Sequence, residues 1–382
     1  MEVWDDLGTL RWYVAADDRW HVPDDEPSVR QIMVEGTPVI ETRVRIPSGD
    51  AVQRVYAVAD HDGLTVVEVE NDSPLPIAVA FAGVAVLSVR TPTDMAIQGI
   101  DLPEGAVVFP VGHHASLTVA IAHSGARTGV LPAPLPPAGQ VSRGWLALCE
   151  RAGRLLLPDA TLSEAVVRER CQLLLDGPAH TTDRPVEFLL GVDQLVRMGS
   201  QVDPWIPEVA DAVHALSSIG ADPLLAAAFD AAVRICTAAD ETRALKDLAK
   251  LRPRLIDQIA NTGRVAPDPA HGVRLLAAVE RLVATGPDLF PGGVPVAWLG
   301  QNFEVYGVPT GPSSTVSFAV RWHGERPAVL WECSGQPVIL RSSGAAPGWS
   351  TADVTGEALW PVPAGAVPAM PLDASPPDIS FS

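Results

Sequence analysis

The chain has 382 residues, of which 47% are hydrophobic and 19% charged, a composition typical of folded globular proteins rather than disordered ones. Its 46 acidic residues outnumber its 27 basic residues, and the net charge of −19 argues against nucleic acid or an anionic membrane as the main partner. The length is sufficient for two or three domains, each with its own core.

The N-terminal segment predicts where in the cell the protein is found. The cysteine and histidine residues indicate whether it binds a metal. The first thirty residues are acidic and lack the apolar core of a signal peptide, and no run approaches the roughly 18–20 apolar residues of a membrane span. We therefore expect a cytoplasmic protein without membrane insertion. The four cysteines are widely scattered without a CxxC pair, which predicts buried thiols. Since His113 and His114 have no third ligand at a recognised spacing, we expect neither a metal nor another cofactor.

Residues 1–130 have the pattern of a β-sandwich domain. Short segments rich in Val and Ile alternate with turn sequences such as SGD, HDG and LPEG. Within ETRVRI, Thr42, Val44 and Ile46 share one face of the predicted strand. Many short strands with turns at close intervals predict an antiparallel sandwich.

A proline-rich linker is predicted at 131–144 and an α-helical hairpin domain at 145–290. The segment LPAPLPPAG is stiff and cannot continue a strand ladder. After it, apolar residues recur at spacings of three and four, the period of a helix. Asp159 and the pair Asp203-Pro204 supply signals for the start of two of these helices. Short connections between the helices favour antiparallel hairpins.

Strand patterns return at 291–365, where we expect β strands packed on the helical domain, and a proline-rich tail follows at 366–382. The segment Ser317–Glu332, SFAVRWHGERPAVLWE, predicts two strands joined by the turn HGERP. The expected fold class is therefore multidomain α+β: an N-terminal antiparallel β-sandwich, a shortened α/α-hairpin domain and C-terminal strands.

Tryptophans and polar groups in the C-terminal strands suggest a ligand site. Indole faces stack on the apolar faces of a sugar ring, and charged or amide groups bind its hydroxyls. The structural alternative is a hairpin whose tryptophans fill a core, with a buried tryptophan in the preceding turn. The candidate ligand-binding residues are Trp298, Gln301, Asn302, Trp322, His323 and Trp331.

Several phrases, taken in order, resemble the glucoamylase-like glycosidases of the six-hairpin superfamily. LTVVEVENDSPLPIAVAF resembles their sandwich strands, and LLLPDATLSEAVVRERCQLLL resembles their connector and first toroid helix. EFLLGVDQLVRMGSQ resembles a hairpin helix, and SFAVRWHGERPAVLWE resembles the strands after the last hairpin. The resemblance implies a β-sandwich, an α/α toroid and C-terminal strands, with catalysis by two carboxylates.

The helical region departs from this family pattern. A complete toroid needs twelve helices, more than about 145 residues can supply at usual helix and loop lengths. No tryptophan-flanked acidic loop matches the family's acid motif, and Glu164, Glu187 and Asp193 fit solvated helix faces or caps. Glu325 and Glu332 are the weak candidates for a catalytic pair, although their odd spacing puts them on opposite faces of a strand.

These observations favour a glycosidase-like protein, non-catalytic or weakly catalytic, that binds a carbohydrate or a protein partner. Two alternatives stay open. One is an active glycoside hydrolase with a carboxylate acid/base pair. The other is an assembly protein that docks a partner through an open helical face. Whether the chain forms a homo-oligomer is also left open.

Overall fold

The computed structural model describes residues 8–93, 102–124, 129–131, 135–181, 183–216, 219, 222–261 and 271–363, so the predicted tail at 366–382 lies outside the described residues. Antiparallel sheets come first, seven described helices follow, and strands return at the end, which confirms the predicted order of elements. Contacts divide the chain into two compact units, Met1–Trp145 and Leu146–Ser382. None of the described helices has the length and apolar character needed to cross a bilayer.

The described strands of the first unit form two antiparallel sheets. One has the order β2-β1-β7-β9 and the other β3-β4-β5-β6-β10-β8, with these bounds: β1 (Arg11–Ala15), β2 (Trp20–His21), β3 (Arg30–Met33), β4 (Ile40–Ile46), β5 (Gly49–Val58), β6 (Leu64–Asp72), β7 (Ile77–Ala82), β8 (Leu87–Ser88), β9 (Val107–Val111) and β10 (Ser116–Ala122). Strands β3 to β6 pair with their neighbours in sequence, as short turns between antiparallel strands allow.

The two sheets of the first unit contribute to one hydrophobic core. Val14 and Val79 come from the four-stranded sheet, and Val67 and Val119 from the six-stranded sheet. All four side chains are fully buried. Burial of branched apolar side chains from both sheets supplies the main stabilisation of this unit.

Strand β4 shows how the predicted alternation works out. Thr42, Val44 and Ile46 are buried, as their shared face predicts. Glu41 lies on the opposite face and is buried as well, because Arg54 Nε donates a 2.8 Å hydrogen bond to its carboxylate. A buried carboxylate needs such a partner, and strand alternation alone does not predict it.

The helices of the middle region begin close to the predicted signals. Asp159 Oδ1 accepts a 3.1 Å hydrogen bond from Leu162 N and so caps the second helix. The first helix begins at Ala138, inside the predicted linker. Proline is tolerated at a helix start, because the N–H group that it lacks would have no partner within the helix there. The helices are α1 (Ala138–Glu150), α2 (Ala160–Asp176), α3 (Pro185–Met198), α4 (Ile206–Leu216), α5 (Leu225–Ala238), α6 (Thr242–Asn261) and α7 (Gly272–Val283).

The remaining described strands form two sheets in the second unit, with the orders β11-β14-β15-β16-β19 and β12-β13-β17-β18. Their bounds are β11 (Arg154–Leu156), β12 (Ala284–Thr285), β13 (Asp288–Leu289), β14 (Phe303–Gly311), β15 (Ser314–His323), β16 (Arg326–Gly335), β17 (Leu340–Arg341), β18 (Ser350–Thr351) and β19 (Thr355–Leu359). Leu162 of α2 and Leu275 of α7 share a core with Phe290, Phe318 and Trp360. Helices and C-terminal strands are therefore packed together within this unit.

A second core in this unit holds the helices to one another. Leu189 of α3, Ala212 of α4, and Leu225 and Ala228 of α5 are all fully buried in it. Small alanines at these contacts let the helices approach closely. This packing sets the positions of the polar side chains on α3, α5 and α7.

Candidate functional site

The predicted hairpin of Ser317–Glu332 is confirmed as β15 and β16. His323 pairs with Arg326, so Gly324 and Glu325 alone form the turn. His323 and Glu325 are exposed at this tip. The strand pairing thus extends further into HGERP than the turn residues predict.

The two hairpin tryptophans lie on the same face but do not meet. Trp322 is opposite Pro327, and Trp331 is opposite Phe318. Four residues of strand, about 13 Å, separate these positions. Trp331 is 7% exposed, and its Nε1 donates to Asp353 O at 3.0 Å. Of the two predicted roles, this geometry favours tryptophans that fill a core over a stacking platform.

Trp322 itself is half-buried against the C-terminal core. Its backbone N donates to Asn302 Oδ1 at 3.0 Å. Its Nε1 is buried and has no hydrogen-bond partner among the described residues. The ring therefore contributes to packing, and the Asn302 amide ties the preceding loop to strand β15.

The turn before β14 also packs its tryptophan into the core. Trp298 is 3% exposed and meets Phe303 edge-on, with ring centroids 5.4 Å apart. Gln301 is exposed, and its Nε2 donates to Ala297 O at 2.7 Å. The structural alternative, a turn with a buried tryptophan, describes this segment.

Glu325 and Glu332 are both exposed and far apart. Glu325 lies in the turn, and Glu332 lies seven residues later on β16, opposite Ser317. Seven residues of strand span about 23 Å. Glycosidases keep their two carboxylates within about 5–10 Å. These two residues therefore do not form an acid/base pair with each other.

The second unit contains a polar cleft between α3, α5 and α7, called here the helical cleft, with a volume of about 80 Å³. Residues of β12 and β14 complete its wall. None of the six predicted ligand-binding residues is among its lining residues, all of which belong to the described part of the chain. The polar groups that line it are Asp193, Gln194, Asp230, Arg234, Glu280, Arg281 and Thr285.

Asp193 on α3 is held by two arginines. Arg234 Nε and Nη2 donate to Oδ1 and Oδ2, each at 2.8 Å. Arg197, one turn further along α3, brings its Nε within 3.2 Å of Oδ2. Burial alone would raise the pKa of Asp193, but the charges of Arg234 and Arg197 outweigh it and hold this pKa below its usual value. Asp193 is therefore a fixed anion.

Glu280 on α7 is the second anion of the cluster. Its Oε1 accepts hydrogen bonds from Arg170 Nη2 at 3.2 Å and from Gln194 Nε2 at 2.9 Å. Arg197 Nη2 lies 2.9 Å from both carboxylate oxygens. Arg197 thus joins Glu280 to Asp193, and the buried ion pairs form one network across α2, α3, α5 and α7. Such a network is strongly destabilised when one member is removed.

Arg170 anchors the network from α2. Its side chain is 3% exposed, and its Nη1 donates to Cys149 O at 3.1 Å and Gly153 O at 2.5 Å. Burial lowers the pKa of Arg170, and the charge of Glu280 opposes that effect. The carbonyls at the end of α1 thus solvate a buried cation, as helix C-termini do.

Asp230 and Arg281 also line the helical cleft, but they are not members of this buried ion-pair network. The Asp230 side chain is 46% exposed, and Arg252 Nη2 lies 3.9 Å from its Oδ1, beyond hydrogen-bond distance. Burial raises the pKa of Asp230, while the charges of Arg234, Arg252 and Arg281 oppose the rise. Arg281 Nη1 donates to Pro223 O at 2.6 Å. Asp230 is therefore the lining carboxylate with the capacity to accept new hydrogen bonds.

The interpretation of Asp193 as a solvated helix face is wrong. It is 3% exposed, because α5 presents Arg234 to it. A signal for burial existed in the sequence: Asp193 follows Leu189 by four residues and so shares its apolar face. Glu164 is exposed, as predicted, while Glu187 accepts a 2.8 Å hydrogen bond from Arg274 Nε.

Sequence reasoning did not identify the other members of the network. Apart from Asp193 and Arg197, which are four residues apart on α3, the partners lie tens of residues apart in the chain, as with Arg170 and Glu280. The available signals were a charged residue on an apolar helix face and the spacing of four residues between Asp193 and Arg197.

Comparison with known proteins identified no matching family model, no similar curated protein and no similar solved structure. Across the described residues, no group of three or more His, Cys, Asp or Glu side chains is arranged to hold a metal ion. The chemistry of the helical cleft therefore has to be inferred from its own side chains.

Proposed function

We propose that this protein is a non-catalytic relative of the glucoamylase-like glycosidases that binds a small hydroxylated ligand, of the carbohydrate class, in the helical cleft. The observation that carries the proposal is the locking of Asp193 and Glu280 by arginines. Glycoside hydrolysis needs a carboxylic acid that can give up a proton and a second carboxylate beside the sugar. Asp193, whose pKa the charges of Arg234 and Arg197 hold below its usual value, is a poor proton donor at neutral pH.

The lining of the cleft supports a hydroxylated ligand. Asp230 offers carboxylate oxygens that accept from hydroxyls, and Arg281 adds a guanidinium beside them. Ala226, Ala277 and Val273 line the same space and present apolar contacts to the C–H groups of a sugar. A few polar groups among apolar walls are the usual composition of a small-molecule site, and the volume of about 80 Å³ admits one edge of a sugar ring rather than a whole oligosaccharide.

The fold supports the same proposal. Both antiparallel sheets of the first unit contribute side chains to one core, as expected for an N-terminal β-sandwich. Seven described helices are fewer than the twelve of a six-hairpin toroid. We infer a shortened helical domain in which the ligand site has been kept and the catalytic pair has been lost.

An active hydrolase is the second candidate, and Asp230 is the observation that favours it. Its pKa is raised by burial, as for a catalytic acid. It would need a second carboxylate free to act as base or nucleophile, and Asp193 is engaged by Arg234 on both oxygens. Binding without turnover is therefore the better-supported function.

The test is a glycan array followed by calorimetry with the best monosaccharide or oligosaccharide, using the full chain and Asp230→Asn. Asp211→Asn is the matched control, since Asp211 is an exposed aspartate on α4. We expect saturable binding that weakens at least tenfold in Asp230→Asn and is unchanged in the control. Absence of binding at millimolar sugar would refute the proposal.

Activity assays on the wild type, on Asp230→Asn and on two hairpin variants separate binding from catalysis. Turnover of α- or β-glucosides that disappears in Asp230→Asn would establish the hydrolase instead. Turnover that disappears in Glu325→Gln or Glu332→Gln would place the catalytic site on the hairpin.

A further inference from the structure

Two buried thiols face each other where α1 meets α2. Cys149 Sγ and Cys171 Sγ are 3.5 Å apart, and both are free cysteines. Their exposures are 0% and 1%. Disulfide formation requires the sulfurs to approach to about 2.05 Å, so they must move together by about 1.5 Å. Small side-chain rotations supply a movement of this size.

The surroundings make Cys149 the more reactive thiol. Its hydrogen bond with Cys171 lowers the pKa of Cys149, and burial opposes this; the charge of Arg170 lowers the pKa further, and that of Glu150 raises it. The pKa of Cys171 is raised, first by that hydrogen bond and then by burial. Cys149 is the residue before the last of α1, and helix ends open locally more readily than helix centres.

We propose that Cys149 and Cys171 are a site of reversible disulfide modification that cross-links α1 to α2. The oxidant is a small-molecule or protein disulfide, which enters by thiol–disulfide exchange when the end of α1 opens. The inference does not depend on the ligand of the helical cleft.

The exchange proceeds in two balanced steps. The Cys149 thiolate attacks one sulfur of the external disulfide, forms a mixed disulfide and releases the first thiolate of the oxidant. The Cys171 thiolate then attacks the Cys149 sulfur, forms the Cys149–Cys171 bond and releases the second thiolate. The two cysteine thiols each lose a proton, and the external disulfide is reduced to two thiols.

The test exposes the native full-length protein to oxidised glutathione, quenches it with acid and alkylates the remaining thiols after denaturation. The reduced chain takes four alkyl groups, because it has four cysteines, and we expect two after oxidation. Trypsin should release peptides 144–151 and 171–197 as one disulfide-linked species. Dithiothreitol should restore four alkylated thiols.

The cross-link closes a short loop, so the oxidised protein should melt about 5 °C higher than the reduced one. The double variant Cys236→Ser/Cys333→Ser is the control and should still lose its two remaining thiols on oxidation. In Cys171→Ser we expect a mixed disulfide with glutathione at Cys149 instead of the cross-link. If Cys171→Ser does not fold, the peptide map of the oxidised wild type still tests for the Cys149–Cys171 disulfide.

Two outcomes would overturn the proposal. One is four alkylated thiols after prolonged exposure to oxidised glutathione. The other is glutathione found on Cys333 alone, the half-buried cysteine, with Cys149 and Cys171 both alkylated.

Discussion

Arg234 binds both oxygens of the Asp193 carboxylate, from Nε to Oδ1 and from Nη2 to Oδ2, with each bond 2.8 Å long. The contact joins α5 to α3, 41 residues apart in the chain. Because the Asp193 side chain is only 4% exposed, water cannot replace either partner. A bidentate pair of this kind fixes the relative position of two helices as well as neutralising two charges.

We expect Asp193→Asn to lower the free energy of unfolding by about 3–5 kcal/mol, since it leaves Arg234 and Arg197 without their buried counter-ion. Urea unfolding followed by circular dichroism measures the change. Asp211→Asn, at an exposed aspartate of α4, should stay within about 0.5 kcal/mol of the wild type. Equal effects of the two substitutions would show that the ion pair is not structurally important.

The lowered pKa of Asp193 also predicts the direction of a pH dependence. A carboxylate whose pKa is depressed in the folded state stabilises the protein above the unfolded pKa, about 3.9, and loses that contribution as the pH falls further. The free energy of unfolding should therefore fall below about pH 4, and less steeply in Asp193→Asn than in the wild type. Parallel curves for the two proteins would contradict the assignment.

Asp230 should behave in the opposite way, because its pKa is raised by burial. In the folded protein Asp230 binds its proton more tightly than in the unfolded chain. Its contribution to the free energy of unfolding is therefore fully present below the unfolded pKa and is lost as the pH rises through the folded pKa. Because nearly half of the Asp230 side chain is exposed to water, which screens this effect, we expect Asp230→Asn to melt at only a slightly higher temperature than the wild type at pH 7, with the difference vanishing near pH 3. A lower melting temperature at pH 7 would mean that Asp230 is stabilised as an anion.

Periodicity predicted the order of strands and helices, but it could not assign the role of each tryptophan. Alternation in β15 and β16 puts Trp322 and Trp331 on one face. Which face of a sheet meets the core depends on other elements, and here Trp349 packs on Trp331 while the Asp353 carbonyl accepts a hydrogen bond from its indole. A prediction from the hairpin alone therefore leaves platform and core equally open.

The charged network was harder to predict for a different reason. The contacts of Asp193 with Arg234 and of Arg170 with Glu280 are set by helix packing, not by local sequence. Local rules treat a lone acid in a helix as exposed, since most are. Only the position of Asp193 on the apolar face of α3 indicates otherwise.

The last prediction concerns Gly356 on β19, which pairs with Trp331 of β16. A Cβ atom on Gly356 would lie 2.6 Å from Cζ2 and 2.9 Å from Cη2 of the indole. The ring cannot move aside freely, because Trp331 Nε1 donates to Asp353 O at 3.0 Å and Trp349 packs edge-on with ring centroids 5.3 Å apart. We expect Gly356→Ala to cost about 1–3 kcal/mol of unfolding free energy.

A double-mutant cycle with Trp331→Phe tests the cause of that cost. Phenylalanine lacks the outer indole atoms that the new Cβ would meet, so Gly356→Ala should add little in the Trp331→Phe background. Glu357→Ala, an exposed position on the same strand, is the control and should change the free energy of unfolding by less than about 0.5 kcal/mol. If Gly356→Ala costs the same with either aromatic residue, the clash with the indole is not the cause, and a backbone effect in β19 has to be measured instead.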